Sequence, residues 1–300
     1  MLKRRPAVRG VALAAAVAAG LLLLLMVVSP WLARVFLFHP DPADPGPPPT
    51  VAGVEGEAVT LRASDGVAVR AWWYGMEDDG GTVVVFHGNA GHLGHRVHLA
   101  RELLQRGFSV LLAGYRGYGG SEGTPHEEGL YRDGRAALAF AAEQAGGAGS
   151  VALLGRSLGG AVAAGVADGA EADPDEGDGP AAEPPAMPGA LVLDSTFTSL
   201  EGMGREVYPF LPRFAFRRLR DSFPTLERMG RIALPVLVVH GEEDRLVPPA
   251  MGRELYQAAR GPKAWLGVPD AGHNDLLQVA GASYFDEVEA FLRRHLTPEP

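Results

Sequence analysis

Gly155-Arg156-Ser157-Leu158-Gly159-Gly160 has the pattern G-x-S-x-G, which offers one serine hydroxyl as a nucleophile. The motif follows the apolar run 151–154 directly and opens an Ala-rich stretch, 161–167. A strand that turns sharply into a helix needs small residues two positions to either side of the serine. Such a turn holds the hydroxyl at a helix N-terminus, where the helix dipole favours developing negative charge. His87-Gly88-Asn89-Ala90-Gly91 ends a second apolar run, 82–86. The backbone N–H groups of Asn89 and Leu158 are the pair expected to hold an oxyanion. Asp244 lies just past the run 236–239, where a carboxylate can accept from an imidazole Nδ1–H. His273, in Ala271-Gly272-His273-Asn274-Asp275, is expected to act as general base and then general acid. Ser157, Asp244 and His273 together form a candidate triad for acyl transfer through a covalent intermediate.

Other residues compete for these roles. Glu242 and Glu243 are close to Asp244, but the turn Asp244-Arg245-Leu246-Val247-Pro248 suits the acid position better. Asp194, at the end of the run 190–193, could also reach the histidine; a supporting or turn role is expected for it. His92, His95 and His98 invite a metal reading. On a helix, however, positions 92 and 98 diverge by about 120°. The chain has no cysteine and no H-E-x-x-H, so no metal or cofactor is expected. His87 and His240 are expected to be packed, hydrogen-bonded histidines.

The elements that must position these groups show a regular rhythm. After two strand-like runs at 57–63 and 67–73, apolar runs at 82–86, 109–112, 151–154, 190–193, 236–239 and 264–268 alternate with helical patterns. Those patterns lie near 93–106, 127–145, 158–168, 249–260 and 284–295. Continuous apolar strands alternating with helices imply an α/β fold, with a mostly parallel sheet covered on both faces. In such sheets chemistry collects at the C-terminal ends of strands, where nearly all of the motifs above fall. Segment 168–189 carries seven acids and little apolar bulk; it is expected as a solvated, disordered insertion.

The 300-residue chain carries a net charge of −9, which argues against a nucleic-acid partner. The lack of cysteine excludes disulfides, thiolate–zinc sites and a cysteine nucleophile. At the N-terminus a basic head, 1–10, precedes the uncharged run 11–28. A helix of that length spans about 27 Å, close to a hydrocarbon core. The expectation is an uncleaved signal-anchor helix over 11–29, followed by a Pro-rich linker over 30–54 and a domain over 55–296. The positive head then predicts a single-pass membrane protein with a cytoplasmic N-terminus and an extracytoplasmic catalytic domain.

FHGNAG (86–91), GYRGYGGSEGTP (114–125), GRSLGG (155–160), HGEEDRLVP (240–248) and GHND (272–275) together resemble the membrane-anchored α/β-hydrolases of the ABHD type. Those proteins share a hydrolase domain with serine aminopeptidase-like proteins and acyl-protein thioesterases. The resemblance covers about 55–296. It implies the α/β-hydrolase fold, with a mostly parallel central sheet, helices on both faces and a short lid insertion, here over 195–232. It also implies hydrolysis of a small or lipid-like acyl ester or thioester, with an aminopeptidase or a non-catalytic binding protein as alternatives. Tyr115, Arg116 and Tyr118 are then expected to shape the substrate wall, with Phe197 joining them from the lid region. The family usually has Asp where this chain has Gly114, which makes the geometry of that loop an open question.

Overall fold

The computed structural model describes residues 34, 37–77, 79–169, 186–207 and 221–296. An eight-stranded sheet runs through the middle. Its strands are β2 (Glu57–Arg62), β3 (Ala68–Tyr74), β4 (Thr82–Phe86), β6 (Ser109–Ala113), β7 (Val151–Arg156), β8 (Ala190–Asp194), β9 (Val236–Gly241) and β10 (Lys263–Val268), in the order β10-β9-β8-β7-β4-β6-β3-β2. β2 and β3 pair antiparallel with each other, and β3 pairs antiparallel with β6; every other ladder is parallel. This is the mostly parallel sheet that the strand–helix alternation predicts. Two further strands, β1 (His39–Pro40) and β5 (Ala90–Gly91), pair parallel with each other outside it.

The central strands are apolar throughout because both of their faces are buried. Side chains alternate between faces along a strand. Val84, Phe86, Leu153, Leu191 and Val238 therefore enter one core, and Val83, Val85, Leu154, Val192 and Leu237 the other. The first core is closed by α2 (Glu127–Gln144), α3 (Leu158–Asp168), α5 (Thr225–Met229) and α6 (Pro249–Ala258). The second is closed by α1 (Val97–Gln105), α7 (Leu276–Ala280) and α8 (Ala282–His295). One helix, α4 (Leu200–Val207), lies in the region expected to form a lid. The rest of that region between 208 and 220, and most of the expected acidic insertion (170–185), lie outside the described residues.

Part of the segment expected to be a linker is bound to the domain. Besides the β1–β5 ladder, Gly119 N–H donates to Asp41 O at 2.8 Å and Gly120 N–H to Pro42 O at 3.1 Å. Asp44 pairs with Arg70 at 2.8 Å, and Arg34 with Asp221 at 2.6 Å. Among the described residues no helix is long and apolar enough to cross a membrane. The most uniformly apolar of them, α3, has 11 residues and rises only about 16 Å; its all-round burial reflects the core, not lipid. This corrects the expectation of a transmembrane signal-anchor and a single-pass membrane placement, and with it the sidedness drawn from the basic head. The stretch 11–29 behind that expectation lies outside the described residues.

Candidate active site

Ser157 occupies the turn between β7 and α3 with φ 54° and ψ −116°, a conformation that L-residues adopt only when the surroundings enforce it. The enforcement is visible in the backbone. Ser157 N–H donates to Asp194 O at 2.7 Å, and Gly160 N–H donates to Ser157 O at 3.0 Å. The flanking glycines are sterically required. A Cβ on Gly155 would meet Gly159 O at 2.2 Å, and one on Gly159 would meet Phe86 O at 2.1 Å. Leu158 is the first residue of α3, so its N–H lacks an intrahelical partner. Asn89 sits in the loop between β4 and β5. Its Nδ2 donates to Leu37 O at 2.8 Å, while its carbonyl accepts from His39 N–H at 2.9 Å and from the Tyr118 hydroxyl at 2.8 Å.

On the opposite side of Ser157, β9 ends in the turn that carries Asp244. Its Oδ1 accepts from the Leu246 and Val247 N–H groups at 2.9 and 2.8 Å, which fixes the carboxylate. Its Oδ2 accepts from His273 Nδ1 at 2.7 Å and lies 3.5 Å from His240 Nε2. Burial alone would raise the pKa of Asp244; hydrogen bonds from His240, His273 and Val247 overcome that and hold it well below the usual carboxylate range. A His273 whose Nδ1–H is committed to Asp244 presents Nε2 as an acceptor. Arg156 Nη2 donates to the His273 carbonyl, tying the loop that carries the histidine to the strand that carries the serine.

Ser157 and His273 line one cleft of about 610 Å³, together with Gly88, Asn89, Leu99, Leu246, Leu277 and Phe285. Three arginines, Arg96, Arg101 and Arg156, line its wall, with His98, Glu102, Asn274 and Gln278 as further polar residues. A larger cavity, about 710 Å³, lies against α4 and α6, and none of Ser157, Asp244 and His273 lines it.

Several sequence expectations find other places. Asp194 is buried, but its carboxylate faces the Ser195 hydroxyl at 2.9 Å and the Tyr284 hydroxyl at 3.3 Å rather than the histidine. Tyr115, Tyr118 and Phe197, expected along the substrate wall, do not line the cleft. The two tyrosines are buried beneath it, with their hydroxyls on His87 O and Asn89 O at 3.0 and 2.8 Å, because their rings pack around His87. Phe197 packs edge-on against Phe223 in the core. Arg116 is also buried, paired with Asp133 and Asp65. Gly114 is explained by its neighbour: a Cβ there would meet Arg70 O at 2.4 Å, so an Asp does not fit this loop. Arg96 and Arg101 escaped sequence reasoning because only the packing of α1 and the 3-10 turn before it beside the β4 loop brings them to the cleft.

His92, His95 and Asp41 approach one another closely enough to share an ion. The two imidazoles stack at 3.9 Å, and each accepts a backbone N–H through Nδ1. That bonding fixes the Nε2–H tautomer and leaves no lone pair on the outer nitrogen. The donor set does not suit a metal.

The family described as serine aminopeptidase, S33 matches residues 77–222. The Arabidopsis thaliana α/β-hydrolase domain-containing protein WAV2 is 32% identical over 257 residues, covering 80% of this chain and 79% of its own. This chain belongs to the α/β-hydrolase family. A second relative of this α/β-hydrolase, the Mycobacterium tuberculosis protein Rv2307c, is 37% identical over 294 residues, covering 97% of this chain and 96% of its own. The Pyrococcus furiosus esterase Pf2001 superposes with a TM-score of 0.67 at 20% identity, covering 87% of this chain and 99% of its own, a likeness of fold.

Proposed function

We propose that this α/β-hydrolase is a serine hydrolase that cleaves carboxylic esters or thioesters through an acyl-enzyme. The observation that carries the reading is the arrangement at one cleft: Ser157 on an enforced positive-φ turn, sharing that cleft with a His273 whose Nδ1 is held by Asp244 at 2.7 Å. In the proposed sequence His273 Nε2 takes the Ser157 proton as Oγ attacks the acyl carbon. The Asn89 and Leu158 N–H groups receive the oxyanion, and His273 returns the proton to the leaving oxygen or sulfur. Water, deprotonated by the same nitrogen, then releases the acid. Asp244 remains ionised throughout and stabilises the imidazolium.

An aminopeptidase needs an acid to hold the substrate's free amine. Among the described residues, the one acid on the cleft wall is Glu102, which Arg106 already engages at 2.8 Å, so the lining favours ester chemistry. The full-length chain is expected to react with a fluorophosphonate probe, and Ser157→Ala is not. A folded wild type that fails to label, or labelling that survives in Ser157→Ala, refutes the assignment.

A further inference from the structure

The chain carries a net charge of −9, yet the cleft beside Ser157 has a positive wall. Arg96 ends a short 3-10 turn, Arg101 lies on α1 and Arg156 ends β7; three separate elements each bring an arginine to the lining of one cleft. Several arginines elsewhere in the described body meet carboxylates: Arg106 pairs with Glu102 and Asp286, Arg116 with Asp133 and Asp65, and Arg228 with Asp168. Among the described residues, none of the three cleft arginines has an acidic partner. Arg96 donates to Ala90 O at 2.9 Å and Arg156 to the His273 carbonyl, so each is held in place by a neutral acceptor. The one acid on the wall, Glu102, is engaged by Arg106. The charges of Arg96 and Arg156 are felt locally. Burial, and then the charges of Arg96 and Arg156, push His98 below its ordinary range; burial and then Arg156 depress Arg96.

Holding like charges together without counterions disfavours the empty cleft and favours a bound anion. Guanidinium groups match the planar oxygens of carboxylates and phosphates, whereas an uncharged acyl chain leaves them unpaired. We propose that the substrate is an ester bearing an oxyanionic group, carboxylate or phosphate, which Arg96 and Arg101 hold beside Ser157. This rests on the serine-hydrolase reading for the ester and on the cleft alone for the anion. Leu99, Leu277 and Phe285, on the same wall, take the apolar part of such a molecule.

The test is equilibrium binding, measured by calorimetry on full-length Ser157→Ala, which leaves the ester intact. The probes are 4-nitrophenyl hexanoate and mono-4-nitrophenyl adipate, which differ only in a terminal methyl against a carboxylate. The 4-nitrophenyl ester of 6-phosphonohexanoic acid, run beside them, separates a phosphate-shaped from a carboxylate-shaped site. At least one anionic ester is expected to bind about tenfold or more tighter than the hexanoate, since hydrogen bonds to charged groups are the strong ones. That advantage is expected to shrink in high salt. It is also expected to shrink when Arg101→Gln or Arg96→Gln is added; Arg101 is exposed, so its variant keeps the test open if the other unfolds. Equal affinity for charged and neutral esters, undetectable binding of all three, or a preference indifferent to both arginines overturns the inference. A preference that persists while wild type hydrolyses none of the esters supports the anion site and refutes the hydrolase reading instead.

Discussion

At Asp244 two histidines share one carboxylate oxygen, and their distances, 2.7 Å for His273 and 3.5 Å for His240, divide the work between them. His240 is buried and its Nε2 also bonds Val247 O at 2.9 Å, so it braces the turn. His273 instead lines the cleft beside Ser157. Asp244→Asn keeps the shape but offers an amide where the imidazole needs an acceptor, which favours the wrong tautomer. We expect kcat for an activated ester to fall about 10³- to 10⁴-fold while the circular dichroism spectrum stays native. His87 gives a stability prediction of the opposite kind. Burial, opposed only in part by its bond to Gly88 O, lowers its pKa from 6.5 to about 3. The unfolded chain therefore binds a proton that the folded one refuses. The stability from keeping His87 neutral is present above pH 6.5 and is lost as pH falls toward about 3. One such group changes stability by at most about 1.4 kcal/mol per pH unit. Urea midpoints at pH 7.5 and 5 are expected to converge in His87→Gln relative to wild type; an unchanged gap assigns the acid sensitivity elsewhere.

At the scale of elements, the chain before β2 is a strap tied to the loop that carries Asn89. Leu37 O receives Asn89 Nδ2, and β1 runs alongside β5. The proline spacing of that segment suggests only a stiff spacer, since a two-residue ladder has no periodicity to read. The long, apolar, evenly spaced strands were legible: β4 begins and ends where its run of residues does, and β7 only two residues past its run. The glycine-flanked serine was legible too, because steric need at 155 and 159 is written in the residue types themselves. The substrate wall was not. Tyr115 and Tyr118 have aromatic rings suited to a pocket, but their packing on His87 turns them inward. Which way a loop side chain points is a matter of tertiary packing rather than local pattern. Asn89→Ala removes the tie to Leu37 but keeps the Asn89 N–H. Because a donor must sit within a few tenths of an ångström of the developing oxyanion, we expect kcat to drop roughly tenfold with KM little changed. Unaltered kcat removes the strap from the catalytic account.

The whole molecule is two apolar cores separated by one sheet, and the cleft opens where the strand ends lose their cover. A body of that kind also has to fix its loops to its helices, and Arg116 does so with charge. Its side chain is 2% exposed and bonds both Asp133, which is fully buried on α2, and Asp65, in the turn between β2 and β3. Burial pushes the pKa of Asp133 upward, and Arg116 only partly reverses that. Asp65 is held at about 2 instead, by its hydrogen bonds to Arg116 working against a smaller cost of burial. The sequence shows an arginine beside a glycine-rich loop and an acid on a helix 17 residues later; only the fold brings them together. Substituting Arg116→Met strands a desolvated carboxylate, and removing one member of a buried pair costs about 3–5 kcal/mol. The double variant Arg116→Met/Asp133→Leu takes away the stranded charge and is expected to recover most of that loss, since Asp65 is partly exposed and can be rehydrated. Urea unfolding of both variants decides the matter. If the single change costs under about 1 kcal/mol, water reaches Asp133 and the clamp is not a buried one. If the double variant recovers nothing, Arg116 holds the β2–β3 turn chiefly through Asp65 and through packing of its aliphatic stem.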